Sequence, residues 1–164
     1  MLVQCRALFM GETSVLPIEA ALDFSQVEFQ GIQPFTEPVR VSGEITARAG
    51  VVELSVRAAF TFNGRCDRCL ASFSRAYDLP LKHILVTSLE NEENDDYILL
   101  ENYSLDLDDL VLADMLLELP YKSLCREDCR GLCPLCGKDL NDGLCGCRSQ
   151  SVDPRLEVLR QLLN

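Results

Sequence analysis

Residues 39–62 read VRVSGEITARAGVVELSVRAAFTF. Val39, Val41, Gly43, Ile45 and Ala47 alternate with Arg40, Ser42, Glu44, Thr46 and Arg48. After Ala49-Gly50, the residues Val52, Leu54, Val56, Ala58, Phe60 and Phe62 stand opposite Glu53, Ser55 and Arg57. Side chains on a strand point alternately to the two faces of a sheet, so this period of two predicts an antiparallel hairpin with one buried face, turning at 49–50. A third strand is expected from Phe73 through Tyr77, Leu79 and Leu81 to Val86, with Pro80 marking an edge or a bend because proline has no amide to give a ladder.

Downstream of the hairpin, Tyr97-Ile98-Leu99-Leu100 reads as a short strand. Leu105–Leu119 reads as a helix, with Leu112, Met115, Leu116 and Leu119 on one face and Asp106, Asp108 and Asp109 at its start, where a cap and negative charge are both favourable. Pro120 ends it. Asp153-Pro154 opens a last helix with an apolar stripe of Leu156, Leu159 and Leu163. Upstream, the first 38 residues show no clear period. Leu16-Pro17 reads as a break, and Pro34 and Pro38 bracket a connector. The expected class is α+β: an antiparallel sheet that could close into a barrel, a few short helices and a cysteine-rich C-terminal segment. A β-rich unit over 1–120, with its helix near 106–119, is expected to carry a tail over 121–164, the two packed as one.

The chain has 164 residues, nine cysteines, one histidine and a net charge of −11. Residues 86–120 hold eleven acidic groups and no basic one, and so account for nearly all of that charge. Such a surface does not attract phosphate backbones passively and suits a basic protein partner, although it also serves as a solvated face. No apolar run is long enough to span a bilayer, and MLVQCRALFMGETSVLP lacks the pattern of a secretory leader. A cytoplasmic setting is therefore expected, with thiols reduced.

Six cysteines fall in CREDCRGLCPLCGKDLNDGLCGC, residues 125–147. Cys133-Pro134-Leu135-Cys136-Gly137 is a turn that aims two thiolates at one point, with Gly137 free to swing the backbone. With Cys66-Asp67-Arg68-Cys69 between the second and third strands, eight cysteines fall into the pairs 66/69, 125/129, 133/136 and 145/147. Four thiolates suit a structural zinc ion. One zinc could use four of the last six cysteines, two zincs could share all six through bridging sulfurs, or two separate four-cysteine sites could form with Cys66 and Cys69 joining the tail across the fold. Spacing does not choose among these. An iron–sulfur cluster also takes four cysteines, and the arginines flanking Cys66-Cys69 suit a redox dithiol, but antiparallel flanks argue against thioredoxin-like use. Cys5 reads as a small buried hydrophobe, and His83, within a strand, as a packed or surface residue rather than a general base. No phosphate loop or nucleophile elbow is present, so no catalytic residues and no small-molecule substrate are expected.

Taken together, Cys66-Asp67-Arg68-Cys69-Leu70, Asp106-Leu107 leading into a leucine-rich helix that ends Leu119-Pro120, the cysteine run, and Asp153-Pro154-Arg155-Leu156 resemble the bacterial YceD family, the large ribosomal RNA subunit accumulation proteins. The resemblance runs from about residue 16 to the end, and the full cysteine tail is similar to that of Gram-positive and plastid members. It implies a non-enzymatic role in large ribosomal subunit assembly, with a ribosomal protein or ribosomal RNA as partner and no membrane. The alternative from the thiols alone is a redox switch or zinc-releasing chaperone, since clustered thiolates can oxidise and release their metal.

Overall fold

The computed structural model describes residues 1–88 and 97–147. The expected last helix at 153–163 and residues 89–96 of the acidic 86–120 stretch lie outside the described residues. In chain order the elements are β1 (Leu2–Gln4), α1 (Arg6–Phe9), β2 (Val15–Leu22), β3 (Val39–Arg48), β4 (Val51–Arg65), β5 (Ser72–Val86), β6 (Tyr97–Leu99), β7 (Ser104–Asp106) and α2 (Leu107–Glu118), then a single 3-10 turn at Leu140–Asp142. β2 to β6 form a five-stranded sheet in sequential order, antiparallel except for the parallel β5–β6 pair, and β1 pairs with β7 in a separate two-stranded sheet.

The hairpin is as the alternation predicts. Arg48 faces Val51 across a two-residue turn, and both turn residues have positive φ, Ala49 at 50° and Gly50 at 83°. That geometry matches the natural twist of two paired strands and strains Ala49, which glycine would not feel. Val52, Leu54, Val56, Ala58, Phe60 and Phe62 all point into the core. Gly43 is a close-approach glycine: a Cβ there would lie 2.2 Å from the Ser55 carbonyl oxygen and 2.6 Å from Val56 Cα.

The barrel expectation is corrected. The sheet is open, because β6 is only three residues long and covers only Ile84–Val86 of β5, while β2 pairs with β3 alone. β2 and β6 do not meet, so the order has two ends. The same openness accounts for Pro80. It lies on the flank of β5 that β6 does not reach, where no ladder amide is required. Pro17 does not break a strand either. It sits inside β2, opposite Glu44, on the edge of the sheet.

The stretch between β2 and β3, which shows no clear period and ends in the connector at 34–38, supplies core. Phe24 and Phe35 are buried, and Gln30-Gly31, both at positive φ, turn a small bridge between Phe29 and Ile32. Phe29, Phe35, Phe73 and Tyr77 surround Phe62, with ring centroids 6.1–6.5 Å from it. α2 packs against β5 and β1. Asp106 caps it, its side chain accepting from the Asp108 amide, and His83 Nε2 donates to Asp114 Oδ2 at 2.6 Å, tying β5 to the helix. The fully buried face of α2 is Leu107, Val111 and Met115, with Leu119 following the last turn; Leu112 and Leu116 are only half-buried. Cys5 is fully buried, and burial pushes its thiol pKa up.

Candidate metal centres

The long β4–β5 hairpin decides how the cysteines group. Each strand runs fifteen residues, so the loop that joins them is carried to the end of the sheet. There it forms a knuckle: Leu70 N–H donates to the Cys66 carbonyl at 2.8 Å, Cys66 N–H donates to the Ala71 carbonyl at 2.9 Å, and Leu70 turns at φ 60°. The tail repeats the construction. Gly137 N–H donates to the Cys133 carbonyl at 2.9 Å, Cys133 N–H donates to the Lys138 carbonyl at 2.8 Å, and Gly137 turns at φ 71°. Leu70 therefore occupies the left-handed position that glycine takes in the second knuckle, at a steric cost to a β-carbon-bearing residue. That equivalence was hidden in the sequence, where only Gly137 signals a turn.

The tail docks on the first knuckle through polar contacts. Asp67 N–H donates to the Ser123 carbonyl, and Ser123 N–H donates back to Asp67 Oδ2, both at 2.8 Å. Arg68 Nη1 donates to the Cys129 carbonyl at 2.8 Å, Leu132 N–H donates to the Arg68 carbonyl at 3.2 Å, and Arg75 Nη2 donates to the Leu124 carbonyl at 3.1 Å. Gly131, at φ 73°, lies against Arg68, whose carbonyl oxygen a Cβ would meet at 3.0 Å.

This docking assembles one group of four, and the tail gathers a second within itself. Cys66, Cys69, Cys125 and Cys129 converge in one, and Cys133, Cys136, Cys145 and Cys147 in the other, with all sulfurs of a group within 4.8 Å of one another. All eight are free thiols. In the first group Cys66–Cys129 and Cys69–Cys125 are each 3.7 Å apart, sulfur to sulfur. A disulfide needs about 2.0 Å. Four sulfurs held about 2.3 Å from one zinc ion stand about 3.8 Å from each other at the corners of a tetrahedron. The donor set and spacing thus fit a single tetrahedral ion, and each group could hold one. Of the three partitions open from spacing, the sulfurs group as the one that joins 66/69 to the tail.

The electrostatics point the same way. Burial would raise the Cys66 thiol, yet backbone amides of Cys125, Cys69 and Arg68 bring its pKa down to about 6. Amides of Cys136 and Leu135 bring Cys133 down to about 6 as well. A thiolate in each group then opposes ionisation of the rest. Burial and the neighbouring sulfurs push Cys125 up to about 12, and contact with Cys136, reinforced by burial and Cys145, pushes Cys147 up to about 12. A cation is what lets four such sulfurs carry charge together. The groups differ in exposure: Cys66, Cys69 and Cys129 are buried, whereas Cys136 and Cys147 are exposed.

A family profile described as "Large ribosomal RNA subunit accumulation protein YceD" matches residues 54–163, from within β4 through both cysteine groups. The chain belongs to the YceD family. The YceD match leaves β1 to β3 outside it. Among individual relatives, an uncharacterized protein of Mycobacterium tuberculosis (strain H37Rv) is 32% identical over 118 residues, which is 70% of this chain and 56% of that protein. The chain thus spans little more than half the length of this mycobacterial relative. The uncharacterized protein YlbN of Bacillus subtilis is 30% identical over 132 residues, 77% of this chain and 74% of YlbN. No solved structure matches the chain. Among the described residues, no helix is long and apolar enough to cross a membrane.

Proposed function

We propose that this YceD member is a non-enzymatic cytoplasmic factor in the accumulation of large-subunit ribosomal RNA, and that it binds two zinc ions, one holding its tail to its sheet and the other closing the tail on itself. The family match carries the first half of this reading, and the 3.7 Å sulfur spacing in the first group, with the convergence of the second group's sulfurs within 4.8 Å, supports the second. Zinc suits the sites better than an iron–sulfur cluster, because a multi-iron cluster lies between its cysteines and keeps them farther apart than one ion does. Cys66, Cys69, Cys125 and Cys129 would ligate one ion, and Cys133, Cys136, Cys145 and Cys147 the other. With four protein ligands each, neither centre keeps the open position that catalytic zinc requires. Residues 1–120 and 121–164 then act as one unit, with a ribosomal protein or ribosomal RNA as partner. The acidic groups of 86–120 favour a basic ribosomal protein.

In cells lacking the protein, the ratio of large-subunit to small-subunit ribosomal RNA is expected to fall and to recover when the wild-type chain is restored. An unchanged ratio, measured on total RNA, would remove the assembly role. The exposure of Cys136 and Cys147 favours a second reading, that of a peroxide-sensitive switch. Two of these thiols would pass two electrons to hydrogen peroxide, forming one disulfide and two waters and freeing the ion. Peroxide treatment should then release zinc from the exposed centre first and let the protein suppress aggregation of a client; retained zinc with no such gain would eliminate the switch.

A further inference from the structure

Asn141 belongs to one centre by chain and to the other by hydrogen bond. It lies in the 3-10 turn Leu140–Asp142, inside the loop from Cys136 to Cys145 that closes the exposed centre. Its Nδ2 donates to Cys129 Sγ at 3.4 Å, a sulfur of the buried centre. Its Oδ1 accepts from the Arg130 amide at 2.8 Å, and Asp139 Oδ1 accepts from both its backbone amide at 2.8 Å and Nδ2 at 2.7 Å. Nearby, Leu140 N–H donates to the Gly131 carbonyl at 2.9 Å. The side chain is thus held on both of its polar atoms and aimed at the sulfur.

An N–H donated to a metal-bound thiolate draws off negative charge and fixes the lone-pair direction, and such outer contacts tune metal affinity. The donor is held in place only as well as its loop is. No residue from Pro134 to Cys147 is buried, so little apolar contact holds that loop. Hydrogen bonds tie its first half, at Gly137, Lys138 and Leu140, to residues 131–133, and the convergence of Cys133 and Cys136 with Cys145 and Cys147 closes the rest.

We propose that Asn141 is a positioning residue that couples the two centres: an ion in the exposed centre fixes the loop, the loop presents the Asn141 amide to Cys129, and the buried centre holds its ion more tightly. Linkage makes this reciprocal, so an ion in the buried centre favours filling of the exposed one. The inference rests on the two-ion reading above.

The test uses the full chain loaded with zinc, and follows its release to a colour-forming chelator together with total zinc per chain. Asn141→Asp keeps the acceptor for Arg130 but removes the donor to Cys129; Asn141→Ala removes both. Cys136→Ser with Cys147→Ser empties the exposed centre. Each change should speed release from the buried centre by roughly tenfold. Combining Asn141→Asp with the emptied centre should be no faster than either alone, because both break one link. Cobalt loaded in place of zinc should show a shifted sulfur charge-transfer band at the buried centre in Asn141→Asp, which mere loosening of the loop would not produce. Multiplying effects, or unchanged release in Asn141→Asp, would overturn the coupling while leaving two zincs in the wild type. Fewer than two zincs in the wild type would overturn the two-ion reading and the coupling with it.

Discussion

Replacing Cys66 with serine is expected to free the tail and leave the sheet folded. The apolar core of the sheet, from Val3 to Leu119, is one cluster, and Cys66, Cys69 and Cys129 with Leu124, Cys125 and Leu132 form a second, much smaller one that meets the first only at Phe73. Over residues 121–147 only Ser123, Cys129, Gly131 and Cys133 are buried, and the one regular element is a three-residue turn. A segment so poor in apolar burial cannot offset the roughly 1–2 kcal/mol per residue of backbone entropy lost on ordering. On the proposed two-ion reading its order comes from metal–sulfur bonds, as in small zinc domains whose folding free energy is largely their metal affinity. Cys66 is a buried cysteine whose sulfur three backbone amides reach, so removing it would leave Cys69, Cys125 and Cys129 an incomplete set for the proposed ion. Hydrogen exchange should show the amides of Leu132, Cys133 and Leu140 losing protection, while β4 amides paired between β3 and β5 keep theirs. A tail that stays protected in Cys66→Ser would mean that docking contacts alone hold it.

Truncating Phe62 to alanine should cost about 3–5 kcal/mol, the usual range for a large aromatic removed from a packed core. Phe62 is 2% exposed and touches the rings of Phe29, Phe35, Phe73 and Tyr77. It thus joins the connector before β3 to the β4–β5 hairpin. Gly64 sharpens the effect, since a Cβ there would lie 2.6 Å from the Phe62 ring and 2.9 Å from Phe73. The rings close over a glycine, leaving little slack to collapse into the hole. For a chain of this size the loss corresponds to a melting temperature lower by about 6–20 °C. A shift under about 3 °C in a thermal melt would show that the aromatic cluster is not a main support of the hairpin that carries Cys66 and Cys69.

The parts of this fold that were readable in the sequence are those where local pattern and tertiary packing demand the same thing. The β3–β4 hairpin shows in its alternation because β4 buries every second residue from Val52 to Phe62 and β3 adds Val39, Val41 and Ile45, and α2 shows in its capping aspartates and closing proline. Pro17 misled because a proline is forbidden only where a ladder needs its amide, and whether β2 is an edge is a property of the whole sheet. Barrel closure was open for the same reason: it depends on how far β6 runs, not on the residues of β3 to β5. Val111 was missed on α2 because the helix carries leucines on nearly every side, so apolar character alone does not mark the buried stripe. The cysteine pairs were legible, but their grouping was not. It follows from the fifteen-residue reach of β4 and β5, which carries Cys66 and Cys69 to the tail.

The most direct measurement is the number of metal ions bound per chain in the wild type, in Cys66→Ser and in Cys136→Ser, each purified under reducing conditions. Two zinc ions in the wild type and one in each variant are expected, with the tail loosened in Cys66→Ser. One ion in the wild type, unchanged by Cys66→Ser and lost in Cys136→Ser, would contradict the account: the hairpin knuckle would then hold no metal, and the sheet and tail would be joined by hydrogen bonds alone.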